Sequence, residues 1–230
     1  QINSKIPADF LYENAIMGLN IIKAAHESNC RKIIFLGASC MYPKVAKQPF
    51  EENQILDGKV EETYEGYAIS KILGIKYIQL LNKQHSCSHI GIIPTASYGP
   101  NDCYDENKNH VIPALIKKIH NAKMKKQKSI TLWGTGKAKR EFIHVDDMAS
   151  GIIHILENYR ENSPINLGTG EEVTIAKLSK TISKIIGYTG NINFDEKKPD
   201  GIKRKILSNK KLEKLKWKSR ISLEKGLELA

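Results

Sequence analysis

Two apolar runs enclose an amphipathic stretch in the first hundred residues of this chain, and this order restricts the fold more than any other feature. Residues 31–36 and 90–94 carry apolar runs without alternation, as in strands that are covered on both faces of a parallel sheet. Residues 64–84 repeat apolar side chains at helical spacing. Strand, helix and strand in this order predict an α/β fold with mostly parallel strands.

The same alternation continues to the end of the chain. Further helices are predicted at 7–27, 110–126, 209–215 and 223–229. Two more helices are predicted to begin at a capping residue: one runs from Asp146 or Asp147 to 156, and the other from Thr174 to 186. Further strands are predicted at 129–133, 165–167 and 191–194, with loops at 37–63 and 95–109 and a turn at 134–139. The aspartates are predicted caps because a carboxylate accepts the free N–H groups of a first helical turn.

Tyr67 and Lys71 lie four residues apart, near the start of the helix predicted at 64–84. At helical spacing both side chains leave the same face, about one turn apart. An ammonium beside a phenol favours phenolate, so we expect Lys71 to lower the pKa of Tyr67 and to make it a usable acid at neutral pH. The alternative is a surface tyrosine and an extended lysine on an ordinary helix, because this spacing also arises by chance.

Four further motifs occur in order along the chain: CMYPK at 40–44, HVIPAL at 110–115, WGTG at 133–136 and REFIHVDD at 140–147. Together with the tyrosine–lysine pair they resemble the GDP-L-fucose synthases, a branch of the extended short-chain dehydrogenase/reductase family. The resemblance runs from about residue 7 to the C-terminus. It implies an NADP-dependent, homodimeric enzyme that epimerises GDP-4-keto-6-deoxy-D-mannose at C3 and C5 and reduces C4 to give GDP-L-fucose.

The resemblance implies a Rossmann-type parallel sheet with a smaller C-terminal domain that binds the nucleotide-sugar. Residues 1–100 and 140–167 fall in the NADP-binding part, and residues 101–139 and 168–230 in the substrate-binding part. A dinucleotide-binding domain opens with a strand and a glycine-rich turn, and no such turn precedes Pro7. By comparison with the family we expect about seventy N-terminal residues, with three strands and that turn, to be absent from this chain.

Individual side chains acquire roles from the same resemblance. Tyr67 protonates the C4 oxygen of the sugar and Lys71 holds the nicotinamide ribose, while Cys40 and His110 act as base and acid in the epimerisations. The predicted catalytic set is Tyr67, Lys71, Cys40, His110 and Ser39. The predicted cofactor contacts are Lys71, Tyr67, Pro94, Thr95, Ala96 and His110, and the predicted substrate contacts are Trp133, Arg140, Lys118, Arg204 and Lys205. From the residues alone, Cys40 is also interpretable as a packed small hydrophobe, and the basic residues as solvated charges.

Two positions depart from the family pattern. Ala38 occupies a place where the family usually has Ser or Thr, whose hydroxyl binds the reacting carbonyl; here Ser39 is next to it. Ala96 stands where the family has the asparagine of a Pro-Thr-Asn segment, which removes an amide from the substrate and nicotinamide region. Two alternatives therefore stay open: a related GDP-4-keto-sugar reductase with a different product, and a truncated relic without catalysis.

The charge of the chain bears on its partners. The formal net charge of +11 is concentrated in lysine-rich segments at 117–118, 123–128 and 197–218, which lack interleaved aromatics, so we expect no nucleic-acid partner. Solubility, or attraction for an anionic nucleotide-sugar, explains this charge better. No apolar run approaches the roughly 20 residues of a membrane span, so we expect no membrane partner.

Cysteine and histidine usage gives the last expectation. The four cysteines show no CxxC pair and no histidine at metal-ligand spacing. This pattern predicts reduced thiols, no metal site and a cytoplasmic location. We expect the histidines other than His110 to be structural or exposed.

Overall fold

The computed structural model describes residues 5–105 and 109–230. Its strands are β1 (Ile34–Leu36), β2 (Ile90–Pro94), β3 (Ala96–Tyr98), β4 (Ser129–Trp133), β5 (Lys139–His144), β6 (Ile165–Leu167), β7 (Glu172–Thr174), β8 (Asn191–Asp195) and β9 (Arg204–Lys205). Its helices are α1 (Pro7–Glu27), α2 (Glu65–His85), α3 (Val111–Met124), α4 (Val145–Asn158), α5 (Ile175–Ile186), α6 (Lys210–Lys214) and α7 (Leu223–Leu229). Every predicted helix and strand is present, and the differences lie at the ends of elements.

β1, β2 and β6 form a parallel sheet in that order. Successive side chains of β2 point to opposite faces of this sheet. Ile92 packs with Ile155 of α4, whereas Ile93 packs with Ile75 of α2. Helices therefore cover both faces, as the unbroken apolar run at 90–94 predicts.

The second half of the chain adds a four-stranded and a two-stranded sheet. β4 and β8 pair in parallel, while β5 pairs in parallel with β3 and β9 and antiparallel with β7. The mostly parallel α/β fold is confirmed. The sequence analysis missed β3, β5, β7 and β9, and the loop predicted over 95–109 is wrong at β3. Strands of two or three residues are too short for alternation to be read, and β5 opens on three consecutive charged residues.

The start of α4 corrects one predicted cap. The cap residue is His144, whose Nδ1 accepts a hydrogen bond from Asp146 N at 3.3 Å, so neither aspartate caps this helix. Asp147 is instead buried, and its carboxylate accepts from the backbone N–H groups of Arg220 and Ile221. It ties the C-terminal segment to α4. The cap predicted at Thr174 is confirmed, because its Oγ1 accepts from the backbone of the first turn of α5.

The helices pack as parts of a folded core. α1 and α2, each of 21 residues, lie against each other, and Leu178 and Ile182 of α5 pack with Ile119 of α3. None of the helices in the described ranges combines the length and the apolar character that a bilayer crossing demands.

Phe35 of β1 is held between two helices that carry glycine at the point of contact. A Cβ on Gly74 of α2 meets three atoms of the ring within 3.0 Å, and a Cβ on Gly18 of α1 lies 3.2 Å from it. Lys71 also lies beside the ring, with its Nζ 5.0 Å from the ring centroid. The close helix packing at these glycines therefore positions the ring on which Lys71 rests.

We expect Gly74→Ala to lower the free energy of unfolding by about 2 kcal/mol, because overpacking costs up to about 3 kcal/mol and helix propensity returns about 1 kcal/mol. Chemical denaturation followed by circular dichroism measures the change. Gly18→Ala is the matched control on the same ring, since its 3.2 Å contact needs only a small adjustment. A Gly74→Ala protein as stable as the parent chain would contradict this account of the packing.

Candidate active site

Tyr67 and Lys71 lie one turn apart on the same face of α2. The Lys71 Nζ is 5.5 Å from the centroid of the Tyr67 ring and also lies over Phe35. The Tyr67 ring also meets Phe10 of α1 edge-on, with 6.4 Å between centroids. The predicted arrangement of the pair on one helix face is confirmed.

The predicted effect of this pair on protonation is wrong. Burial raises the pKa of Tyr67 above its ordinary value, and negative charge on Cys40 raises it further. The Lys71 ammonium lies over the face of the phenol and does not offset this desolvation. Burial also lowers the pKa of Lys71. Tyr67 therefore keeps its proton at neutral pH, which suits a group that donates a proton.

Cys40 lies in a short 3-10 turn, Ser39–Met41, directly after β1. Its thiol is buried, and burial raises its pKa. The positive charges of Lys205 and Lys71 act in the opposite direction and favour the thiolate. A thiol is a competent base only as thiolate, so the two lysines decide how much of the base is available.

Lys205 reaches Cys40 from the second half of the chain, and Arg140 lies beside Lys205. The two basic residues are register partners in the parallel pair of β5 and β9. Lys205 Nζ lies 5.5 Å from the ring centroid of Tyr64, which precedes α2. Burial lowers the pKa of both basic residues and raises the pKa of Tyr64 well above its ordinary value. We call this group the Cys40 cluster: Cys40, Tyr64, Tyr67, Lys71, Arg140 and Lys205.

Tyr64 and Asp200 are two contributors that the sequence analysis missed. Tyr64 is one helical turn before Tyr67, so the spacing could have indicated it. The carboxylate of Asp200 accepts from Thr135 N at 2.7 Å and from Thr135 Oγ1 at 2.6 Å, and these bonds lower its pKa. It also interacts electrostatically with Arg140. Asp200 carried no sequence signal, because it reaches this turn only through tertiary packing.

A second group of predicted residues lies along a groove beside α3. Lys118 and Trp133 both line this groove, which has a cavity volume of about 560 Å³. Lys118 Nζ donates to the backbone oxygen of Thr131 at 2.6 Å, so its position is fixed. Trp133 is 62% exposed, with Lys198 Nζ 5.5 Å from its ring centroid. An exposed indole next to lysines suits stacking on a nucleotide base near its phosphates.

His110 is exposed and immediately precedes α3. Within the described residues no hydrogen bond joins it to Cys40. Its predicted role as the acid of the epimerisation stays a prediction, as does that of Ser39, which is partly exposed beside Cys40.

The predicted cofactor and phosphate contacts differ in their surroundings. Pro94 ends β2, and the buried Thr95 donates from Oγ1 to the backbone oxygen of Glu141 at 3.0 Å, so this hydroxyl serves the fold. Ala96 is exposed at the start of β3. Arg204 is engaged in an ion pair with Glu172, with Nε 2.5 Å from a carboxylate oxygen. The structure brings Arg140 and Lys205 to the Cys40 cluster more directly than Arg204.

Comparisons with known proteins show which proteins the whole chain is similar to. Residues 1–168 match the family described as NAD dependent epimerase/dehydratase. The chain is 45% identical over 98% of its length to a GDP-L-fucose synthase from Escherichia coli K12, of which it covers 73%. It is 40% identical over 98% of its length to a GDP-L-colitose synthase from Yersinia pseudotuberculosis, of which it covers 74%.

A solved structure shows the same likeness in three dimensions. The crystal structure of a GDP-L-fucose synthetase from Naegleria fowleri bound to NADP superposes with a TM-score of 0.91 at 27% identity. The match covers 96% of this chain and 71% of the other. The Rossmann-like fold expected from the sequence is therefore confirmed.

Proposed function

This chain belongs to the NAD dependent epimerase/dehydratase family, and from that premise we propose that it is a GDP-4-keto-sugar epimerase and reductase. It converts GDP-4-keto-6-deoxy-D-mannose to GDP-L-fucose by epimerisation at C3 and C5 followed by reduction at C4. The observation that carries the proposal is the convergence of Cys40 with Tyr67 and Lys71, a carbon-acid base beside a proton donor.

The donor set around Lys71 fits the nicotinamide ribose of a dinucleotide. Its half-buried ammonium lies over two aromatic rings, and the described carboxylates leave it unpaired, so its N–H groups remain for ribose hydroxyls. NADPH, when bound, supplies the hydride that reduces the C4 carbonyl. We assign to Lys71 the ribose of this cofactor, and to Pro94, Thr95 and Ala96 its nicotinamide end.

The epimerisation depends on Cys40. Protons next to a carbonyl are acidic, so the thiolate of Cys40 removes the proton at C3 or C5 and His110 returns one to the opposite face. Tyr67 then donates its phenolic proton to the C4 oxygen as charge develops there. Arg140, Lys205 and the groove with Trp133 and Lys118 bind the GDP moiety.

Product analysis tests the proposal. The purified protein, expressed with any residues that its natural sequence carries before Gln1, is incubated with GDP-4-keto-6-deoxymannose and NADPH in heavy water, and the nucleotide-sugar is identified by NMR. GDP-L-fucose that carries deuterium at C3 and C5 is the expected product. Absence of both NADPH oxidation and deuterium exchange, with the chain folded, would overturn the proposal and favour the relic.

A GDP-sugar reductase with a different product is the second candidate. The 40% identity to a GDP-L-colitose synthase supports it, and so do the alanines at 38 and 96. The same NMR measurement distinguishes the two candidates. Compared with GDP-L-fucose, another product carries a different amount of deuterium at C3 or C5, or lacks oxygen at different carbons of the sugar.

Ala38→Ser tests the first departure. Ala38 has an extended backbone with φ −156° and ψ 149°, so a serine fits without strain. A hydroxyl there stabilises the oxyanion that develops at C4. We therefore expect kcat for reduction to rise at least about tenfold, with little change in KM. This rise is a fraction of the rate factor of about 10²–10³ that such a hydrogen-bond donor typically contributes. Ser39→Ala is the control on the neighbouring hydroxyl. An unchanged kcat with chemistry rate-limiting would mean that Ser39 or Tyr67 already supplies this bond.

Lys205→Met tests the electrostatic support of the thiolate. Lys205 lowers the pKa of Cys40 against the effect of burial, so its loss raises that pKa further. The pH profile of C3 and C5 proton exchange then moves to higher pH. At any pH below the midpoint, each pH unit of this movement lowers the exchange rate tenfold. Lys203→Met, at an exposed position two residues earlier, is the control. A weaker KM with an unmoved midpoint would show that Lys205 only binds substrate.

A further inference from the structure

Three potential metal ligands meet where α1 ends and where the chain passes from α2 to β2. The Nδ1 of His26, the Sγ of Cys87 and the Nε2 of His89 all lie within 4.8 Å of one another. The expectation that no cysteine has a histidine partner is therefore wrong at Cys87. His26 reaches it from α1 through the packing of α1 on α2, and His89 is only two residues away.

Two of the three separations match the edges of a tetrahedral site, and the third is at most 4.8 Å. His26 Nδ1 lies 3.5 Å from His89 Nε2 and 3.8 Å from Cys87 Sγ. Zinc bonds of about 2.0–2.1 Å to nitrogen and about 2.3 Å to sulfur, at tetrahedral angles, place two nitrogens about 3.4 Å apart and a nitrogen and sulfur about 3.6 Å apart. An ion therefore fits between the three atoms with small side-chain adjustments.

A further, exposed imidazole and a favourable field lie beside the three ligand atoms. The ring of His85 has its centroid 4.6 Å from that of His26. His85 is the last residue of α2, and His26 is in the last turn of α1. The negative ends of two helix dipoles thus converge on the cluster, which favours a cation over an anion.

Hydrogen bonds hold the buried member of the cluster in place. Asn82 accepts from His89 N at 2.9 Å and donates to His89 O at 2.8 Å. His89 Nδ1 accepts from Ile33 N at 3.2 Å, so without metal its proton is on Nε2. Coordination at Nε2 moves the proton to Nδ1 and gives up the bond from Ile33. The two buried N–H groups then face each other, so the ring of His89 has to turn and both donors lose this partner. This loss exceeds that of one neutral hydrogen bond, and it is set against the free energy of three or four coordinate bonds.

We propose that His26, Cys87 and His89 form a binding site for a zinc-class divalent cation, with His85 as the fourth ligand. Thiolate and imidazole donors in tetrahedral arrangement select Zn²⁺ among the common biological cations. All four ligands come from the protein, so the site is structural. The ion joins the ends of α1 and α2 to the start of β2.

Cobalt substitution gives the first test. Co²⁺ titrated into the metal-free chain is expected to produce a thiolate-to-cobalt charge-transfer band that saturates at one ion per chain. Cys87→Ser removes the band, and His26→Gln weakens Zn²⁺ binding at least about tenfold in competition with a chromophoric chelator. Both variants replace partly exposed side chains, and circular dichroism checks that they fold.

The controls use exposed residues of the same types. Cys103→Ser and His120→Gln are expected to keep the cobalt band and the parent zinc affinity. A chain without a charge-transfer band at stoichiometric cobalt overturns the proposal. A band that persists in Cys87→Ser, or a zinc affinity equal to that of the parent chain in His26→Gln, does so as well.

Discussion

Tyr67→Phe is expected to lower the rate of C4 reduction by about 10²–10⁴, the usual contribution of a positioned general acid. The substitution removes the phenolic proton donor and keeps the ring that packs against Phe10. In the proposed mechanism proton exchange at C3 and C5 depends on Cys40, so we expect it to continue. Stopped-flow measurement of NADPH oxidation, beside deuterium exchange followed by NMR, separates the two steps.

The control for this substitution is Tyr77→Phe, which removes a hydroxyl from the same helix outside the Cys40 cluster. Because burial raises the pKa of Tyr67, the alkaline limb of the pH profile for reduction is expected above the ordinary tyrosine value of 10.0. A Tyr67→Phe protein that reduces its substrate at the parent rate would show that another group, such as Tyr64, donates the proton.

Local sequence was sufficient for the elements that carry the first part of the site. The unbroken apolar run at 90–94 predicted a strand with the bounds found for β2, and helical spacing predicted α2 to within a residue at each end. The relation between Tyr67 and Lys71 followed from that helix. These features depend on residues close together in the chain, where periodicity is informative.

The electrostatics of the site could not be predicted in this way. Lys71 was expected to lower the pKa of Tyr67, but burial outweighs it, and burial depends on how α1 and β1 pack around the phenol. Lys205 reaches Cys40 because β9 pairs with β5 in one register, and a strand of two residues gives no sequence pattern. Desolvation and long-range register are tertiary properties.

The histidine cluster at the end of α1 shows the same limit. His85, Cys87 and His89 alternate within one short segment, and His26 is far from them in the chain. Motif spacing does not relate these residues, because the ligand set is completed by one helix lying along another. Helix packing that buries apolar side chains can thus assemble a polar site at the helix ends.

Cys40→Ser is expected to lower proton exchange at C3 and C5 by about 10²–10⁴, the range for loss of a general base. A serine hydroxyl has nearly the size of the thiol but stays protonated even next to Lys205 and Lys71, so no base remains. In the proposed mechanism reduction of a substrate that is already epimerised depends on Tyr67 and Lys71, and we expect it to persist.

Cys30→Ser, at an exposed position, is the control for this change and is expected to exchange at the parent rate. The reason for expecting so large an effect is the position of Cys40 itself: burial raises its pKa, and two lysines oppose that effect, an arrangement that a merely packed thiol does not need. Exchange at the parent rate in Cys40→Ser would therefore assign the thiol to packing. The base would then have to be sought among the other groups that face the sugar, with His110 first.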